Sequence, residues 1–214
     1  GVNLQVLRRL HVVSELTERN CSSFAVFGKA TKDGKLYHGC NFDWVMEAGI
    51  QDHAALFLYE PRGGIRFAGY GYLGMIGYAT GMNMEGVSVG VIGAVTKDAR
   101  STGTPLMLLI RDVLERAHNL DEATNIIENA HRTLGYNYVV GYAGGPGARA
   151  FETTAHHCGT FTDNDPKETV EYAIPIENAV FRADEAMDQT VRSFQKCSKG
   201  YPNMPYGSGS YDFR

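Results

Sequence analysis

Residues 21–44, CSSFAVFGKATKDGKLYHGCNFDW, admit little besides an antiparallel β-hairpin. Two apolar, β-prone runs, 22–31 and 35–43, flank Lys32-Asp33-Gly34, a turn signal with a glycine where the chain must reverse. Pairing across so short a turn folds the chain back on itself. Cys21, entering the first run, and Asp43, leaving the second, are thereby far apart in sequence and adjacent in space. A thiol acts as a nucleophile once a base takes its proton and an acid orients that base, and this hairpin can assemble such groups.

The remainder continues as strands, then changes period. Residues 54–59 and 65–70 read as a second hairpin across Pro61-Arg62-Gly63-Gly64, and 75–79 and 87–95 as two strands joined by GMNMEG. Thr104 reads as an N-cap and Pro105 as a first helical residue. Leu106, Leu109, Ile110, Val113, Leu114 and Ala117 follow at helical spacing, and a second helix runs from Asp121 to near Leu134-Gly135. Strands return at 137–142, 148–153 and 170–174, and Asn178 stands before a stretch, 179–193, with helical spacing. Strands, two helices and strands again predict one α+β domain in which sheets are covered by helices. Residues 1–20 have helix-like spacing and read as a propeptide-like segment ahead of a domain spanning 21–214. The Gly-, Pro-, Ser- and Tyr-rich stretch 199–214 reads as an extended loop. A start without Met and an end without a closing element predict a trimmed piece of a longer parent.

Bulk properties narrow the function. With 214 residues, 43% hydrophobic and 21% charged, the chain can bury a substantial core. A net charge of -4 with scattered Lys and Arg argues against nucleic acid as a partner. No apolar run reaches the roughly 18 residues of a membrane span. Cys21, Cys40, Cys158 and Cys197 are too few and too scattered for a disulfide framework, and none forms a CxxC pair. His156 and His157 would point to opposite faces of a strand, and His156 with Cys158 lacks further ligands, so no metal is expected. Asp163-Asn164-Asp165 lacks the Gly and distal Glu of a calcium loop and reads as a turn, as does GGPG at 144–147.

Cys21-Ser22-Ser23-Phe24, the run from Gly28 to Gly34, and Gly39-Cys40-Asn41-Phe42-Asp43-Trp44 resemble the autoproteolytic N-terminal-nucleophile hydrolases. The resemblance is nearest to the acyl-coenzyme A:6-aminopenicillanic acid acyltransferase-like family, with penicillin V acylases and choloylglycine hydrolases as more distant relatives. It extends from Cys21 to Arg214 and implies an αββα sandwich of two antiparallel sheets between helical layers. It further implies cleavage of the Asn20–Cys21 bond, after which the α-amine of Cys21 serves as base to its own thiol. By the same resemblance Asp43 holds the amine and thiol, Asn41 supports that face, and the Gly93 N–H and Asn178 side chain stabilise an oxyanion. Arg214 would be the active-site arginine of a terminal SxxxRF-like segment. Cys40 departs from the pattern, standing where relatives often carry Arg or Gln, and a thiol cannot supply a guanidinium's charge. GMNMEGVSVGVIGA resembles a strand entry of the bile-salt hydrolases, with Asn83 as its turn residue.

The resemblance implies no cofactor and a small-molecule acyl amide or acyl thioester as substrate. A homo-oligomer is compatible with it, and the compartment, cytoplasm or export with the signal removed, is left open. Phe57, Tyr59, Tyr70, Tyr72, Met75, Tyr78, Met82 and Met84 are candidates for core or for an apolar acyl pocket. Three alternatives stand beside this reading. They are a choloylglycine-type or lipid N-acyl amide hydrolase, an uncleaved inactive precursor or binding domain, and a thiol redox or metal protein.

Overall fold

The computed structural model describes residues 3–10, 21–43 and 49–195. Helix α1 (Leu4–Leu10) falls in the N-terminal segment. The hairpin forms as β1 (Cys21–Gly28) and β2 (Gly34–Phe42). Next come β3 (Ala54–Tyr59), β4 (Phe67–Tyr72), β5 (Thr80–Asn83) and β6 (Val87–Gly93). Helices α2 (Leu106–Arg116) and α3 (Leu120–Glu128) interrupt the strands, which resume as β7 (Tyr136–Tyr142), β8 (Gly147–Thr153), β9 (Cys158–Phe161) and β10 (Ala179–Arg182). Helix α4 (Gln189–Phe194) follows.

The strands make two antiparallel sheets, β10-β1-β2 and β3-β4-β5-β6-β7-β8-β9, flanked by helices in the α+β arrangement expected of an αββα sandwich. Alternation assigns the faces. Val87, Val89, Val91, Tyr138, Val140 and Phe151 turn to α2 and α3, where Leu106, Ile110, Val113, Leu114 and Ile127 close a helix-side core. The intervening residues Ile92, Val139, Ala148 and Ala150 meet Ala25, Phe27 and Val180 of the small sheet in a second core. Gly90 permits the closest approach, since a Cβ there would lie 2.6 Å from Ser23 Oγ and 3.2 Å from Cys40 Cβ.

His38, on β2, spans the sheets between Ser88 Oγ, 2.7 Å from Nδ1, and Ser23 Oγ, 3.0 Å from Nε2. Because Ser23 Oγ donates to Gly39 O, it accepts from Nε2–H, and Ser88 donates to Nδ1. Burial drops His38 to about 4, in keeping with that neutral ring. The small sheet covers β6 to β8 but stops short of β3 to β5, whose same face leaves Leu56, Leu58, Tyr70 and Met82 exposed.

Several expected elements are placed differently. Residues 75–79 are not a strand: Tyr78 N–H donates to Met107 O and its ring packs among the helix-side residues, and the strand is β5 instead. Asn83 ends β5 as a turn residue, its amide donating to Leu114 O and Ala117 O while Oδ1 accepts from Glu85 and Val87 N–H. Pro105 rather than Thr104 caps α2, and α3 starts behind Asn119, whose side chain accepts from Glu122 N–H at 2.9 Å, and ends at Glu128. Residues 170–172 bend and turn and 173–174 are irregular, and β10 occupies the start of the stretch expected to be helical. Asp165 closes the 163–165 turn by accepting from Thr162 and Lys167 N–H. Among the described residues no helix is long and apolar enough to cross a membrane, and no cluster of His, Cys, Asp and Glu could hold a metal.

Candidate active site

Cys21 begins β1 on its inward-facing register and is 4% exposed. Its register partner is Phe42, so Asp43 follows directly across the strand pair. The Asp43 and Gly93 backbone N–H groups, one from the end of β2 and the other from the end of β6, lie on the side of Cys21 Sγ and favour its thiolate. Burial nevertheless pushes the thiol up to about 12, since desolvation outweighs both donors. With Asn20 attached, this thiol is fully protonated at neutral pH.

The carboxylate that accepts from the Cys21 nitrogen is that of Asp184, at 3.0 Å. Its approach follows from the register of β10. Strand β10 runs antiparallel to β1 with Val26 opposite Ala179 and Ser23 opposite Arg182, which delivers the next residues to Cys21. Three consecutive residues are held by side chains of the large sheet, of the loop after β9 and of the residue that ends α4. Arg182 lies 2.6 Å from Glu152 and 2.7 Å from Glu168. The Ala183 carbonyl accepts from the Asn137 side-chain amide at 3.0 Å, and the Asp184 carbonyl accepts from that of Gln195 at 2.7 Å. Asn137 is itself completely buried, opposite Ile92 and Glu152 in register. Burial, joined by the charges of Asp43 and Glu185 and opposed by the Cys21 N–H, holds the Asp184 carboxyl up at about 7.

The expected site residues are brought together in part. Cys21, Asp43 and Gly93 converge, although Asp43 reaches the sulfur through its backbone N–H. Burial also raises the Asp43 carboxyl. Asn41 faces the other side of the hairpin, where its amide donates to Ser22 Oγ at 3.1 Å. Cys40 packs inward, opposite Ser23 in register, with its thiol raised by burial.

Asn178 is not at the site. Its backbone carbonyl accepts from Phe27 N–H and its Oδ1 from Lys29 N–H, at the far end of β1, about 20 Å from Cys21 at strand rise. It has φ 58, a left-handed conformation just before β10, and so caps no helix. Asn20 and Arg214 lie outside the described residues, as do Trp44 and Cys197. Asp184 and Asn137 were missed by sequence reasoning. Only the β10–β1 register, which a four-residue strand hardly announces, connects them to Cys21.

A model of the acyl-coenzyme A:6-aminopenicillanic acid acyl-transferase family matches residues 29–167, well over half of the chain. The chain belongs to this family. The acyl-transferase match takes in Asn41, Asp43 and Gly93 but begins after Cys21 and ends before Asp184. The chain is 28% identical over 169 residues to Protein dcd1B of Dictyostelium discoideum, which covers 78% of this chain and 34% of that protein. It is 24% identical over 176 residues to Protein dcd1A of the same organism, covering 78% of this chain and 40% of that protein. It therefore spans between a third and two fifths of the length of these curated relatives. Among solved structures it is similar in fold to a Caenorhabditis elegans N-acylethanolamine-hydrolyzing acid amidase ortholog. That likeness has a TM-score of 0.53 and 16% identity, over 77% of this chain and 70% of that one.

Proposed function

We propose that the protein is an N-terminal-cysteine amidohydrolase or acyltransferase. Cleavage of Asn20–Cys21 frees it to act on the non-peptide C–N amide or thioester bond of a small acylated substrate. One observation carries this reading: a buried thiol at a strand end has a carboxylate 3.0 Å from its own nitrogen and two backbone N–H groups that favour its thiolate. While that nitrogen is an amide it cannot accept a proton, and the thiol, up at about 12, lacks a base. Freed, it is an α-amine with a pKa of about 8, able to take the thiol proton.

The resulting ammonium would be held by Asp184, with Asp43 adding negative charge nearby. The thiolate would attack the substrate carbonyl, and the Gly93 N–H would serve the oxyanion. The acyl-Cys21 thioester then passes to water or to an acceptor amine. The aromatic row from Phe42 to Tyr72 and on to Tyr70, with centroids 6.1 Å apart at each step, leads from Cys21's register partner toward exposed Leu56 and Met82. Such a surface suits an apolar acyl group. Phe57, Tyr59 and Tyr78, by contrast, belong to the helix-side core.

Intact mass spectrometry of the full-length protein tests this directly. A species beginning at Cys21 that turns over an acyl amide or acyl thioester supports the reading, and Cys21→Ala should abolish both cleavage and turnover. A wild-type protein that keeps Asn20 joined to Cys21 and yet hydrolyses the substrate would sink it.

A further inference from the structure

Asp184 touches the nitrogen that must leave when the Asn20–Cys21 bond breaks. We infer that Asp184 is the proton donor to the Cys21 nitrogen in that cleavage, a role that rests on the self-cleavage reading above. Geometry carries the assignment: Oδ1 lies 3.0 Å from the nitrogen, and the residues on either side are fixed independently of Cys21. Asn137 holds the Ala183 carbonyl, Gln195 holds the Asp184 carbonyl, and Glu152 and Glu168 hold Arg182. Such fixing keeps the carboxyl on the nitrogen while the bond to Asn20 changes.

The step balances without an outside reagent. Cys21 Sγ adds to the Asn20 carbonyl carbon and the S–C bond forms. In the tetrahedral intermediate the nitrogen is no longer conjugated and gains a lone pair. Asp184 gives it a proton as the C–N bond breaks, so the leaving group departs as an amine rather than as an amide anion. The thiol proton passes to the carbonyl oxygen as the S–C bond forms and returns to Asp184 when the carbonyl re-forms, so the step is neutral overall. Water then hydrolyses the thioester, releasing the Asn20 carboxylate and restoring the thiol.

A donor must hold its proton at the working pH, and an ordinary aspartic acid does not. Three groups bear on this one: the Cys21 thiol on β1, Asp43 at the end of β2, and Glu185 next in the chain. The two carboxylates oppose its ionisation, while the guanidinium of Arg182 is directed to Glu152 and Glu168. Burial and these charges together leave Asp184 near about 7.

The test follows conversion of the full-length protein by intact mass from pH 5 to 9. Wild-type cleavage is expected to be fastest below pH 7 and to fall about tenfold per unit above it, as the acid form is lost. Asp184→Asn, which keeps an acceptor for the N–H but has no carboxyl proton, should cleave at least about 100-fold more slowly and without that pH step. Asp184→Asn cleaving at the wild-type rate with the wild-type profile overturns the inference and leaves the functional reading intact. A wild-type protein uncleaved at every pH overturns both. Should Asp184→Asn fail to fold by circular dichroism, Asp184→Glu decides. A retained fall on the alkaline side, with a moved midpoint, supports the assignment, and a profile indistinguishable from wild type opposes it.

Discussion

Glu152 and Asp184 are carboxylates removed from water at the same end of the sandwich, and the protein treats them in opposite ways. Glu152 is completely buried and lies 2.6 Å from the Arg182 guanidinium, with one oxygen also accepting from Asp188 N–H. Burial raises its pKa, and Arg182 works against that rise. Asp184, two residues along the chain from the same arginine, accepts from a single backbone N–H, and the charges acting on it are negative. The first carboxylate is a structural tie whose charge is answered on the spot. The second is left uncompensated and so keeps its proton toward neutral pH, which is a state suited to proton transfer and unfavourable to stability.

The comparison breaks most severely at Arg182. Replacing it with Met strands Glu152 and Glu168 as unpaired buried acids and should cost about 3–5 kcal/mol in urea unfolding. Adding Glu152→Gln and Glu168→Gln should recover much of that loss, because the stranded charge is what destabilises. A single Arg182→Met variant losing less than about 1 kcal/mol would show that the tie is dispensable.

Asp184 should respond in the opposite direction. In a Cys21→Ala background, which stays uncleaved, the folded carboxyl titrates at about 7 against 3.8 for an ordinary aspartic acid. The unfolded chain therefore ionises first as pH rises. Stability falls between about pH 4 and 7, and the whole penalty is present above 7. Asp184→Asn removes that penalty, with an expected gain on the order of 3 kcal/mol at pH 8 and almost none at pH 4. Urea unfolding at the two pH values checks the sign, and an equal effect at both would mean that ionisation is not the cause.

Legibility followed the same division between local and long-range causes. The 21–43 hairpin, the amphipathic α2 and the alternating β6, β7 and β8 could be read because each carries its own periodicity and turn residues. The 75–79 run misled because its apolar residues pack on α2 through a turn, and burial alone does not distinguish that from a strand. Residues 179–193 have helical spacing, yet 179–182 become β10 because they complete the small sheet against β1. Asn178, the amide implied by the family resemblance, is carried by the antiparallel register to the other end of β1. The same register brings Asp184 to Cys21, a contact across 163 residues that no local pattern encodes. Cys21, Asp43 and Gly93 were accessible because two lie in one hairpin and the third ends a glycine-rich strand.

The finest distinction is between the two charges that lift Asp184. Asp43 acts on it more strongly than Glu185, and both are exposed, where salt and water screen them. Asp43→Asn should therefore lower the pH midpoint of Asn20–Cys21 cleavage by up to about one unit, and Glu185→Gln by only a few tenths. The midpoint, not the rate, is the informative quantity, and the backbone N–H of residue 43 is kept in Asp43→Asn. Raising the salt concentration should shrink both shifts, since both carboxylates are exposed. Two variants moving the midpoint equally, or upward, would mean that the carboxyl titrating in the cleavage profile is not the one on the Cys21 nitrogen.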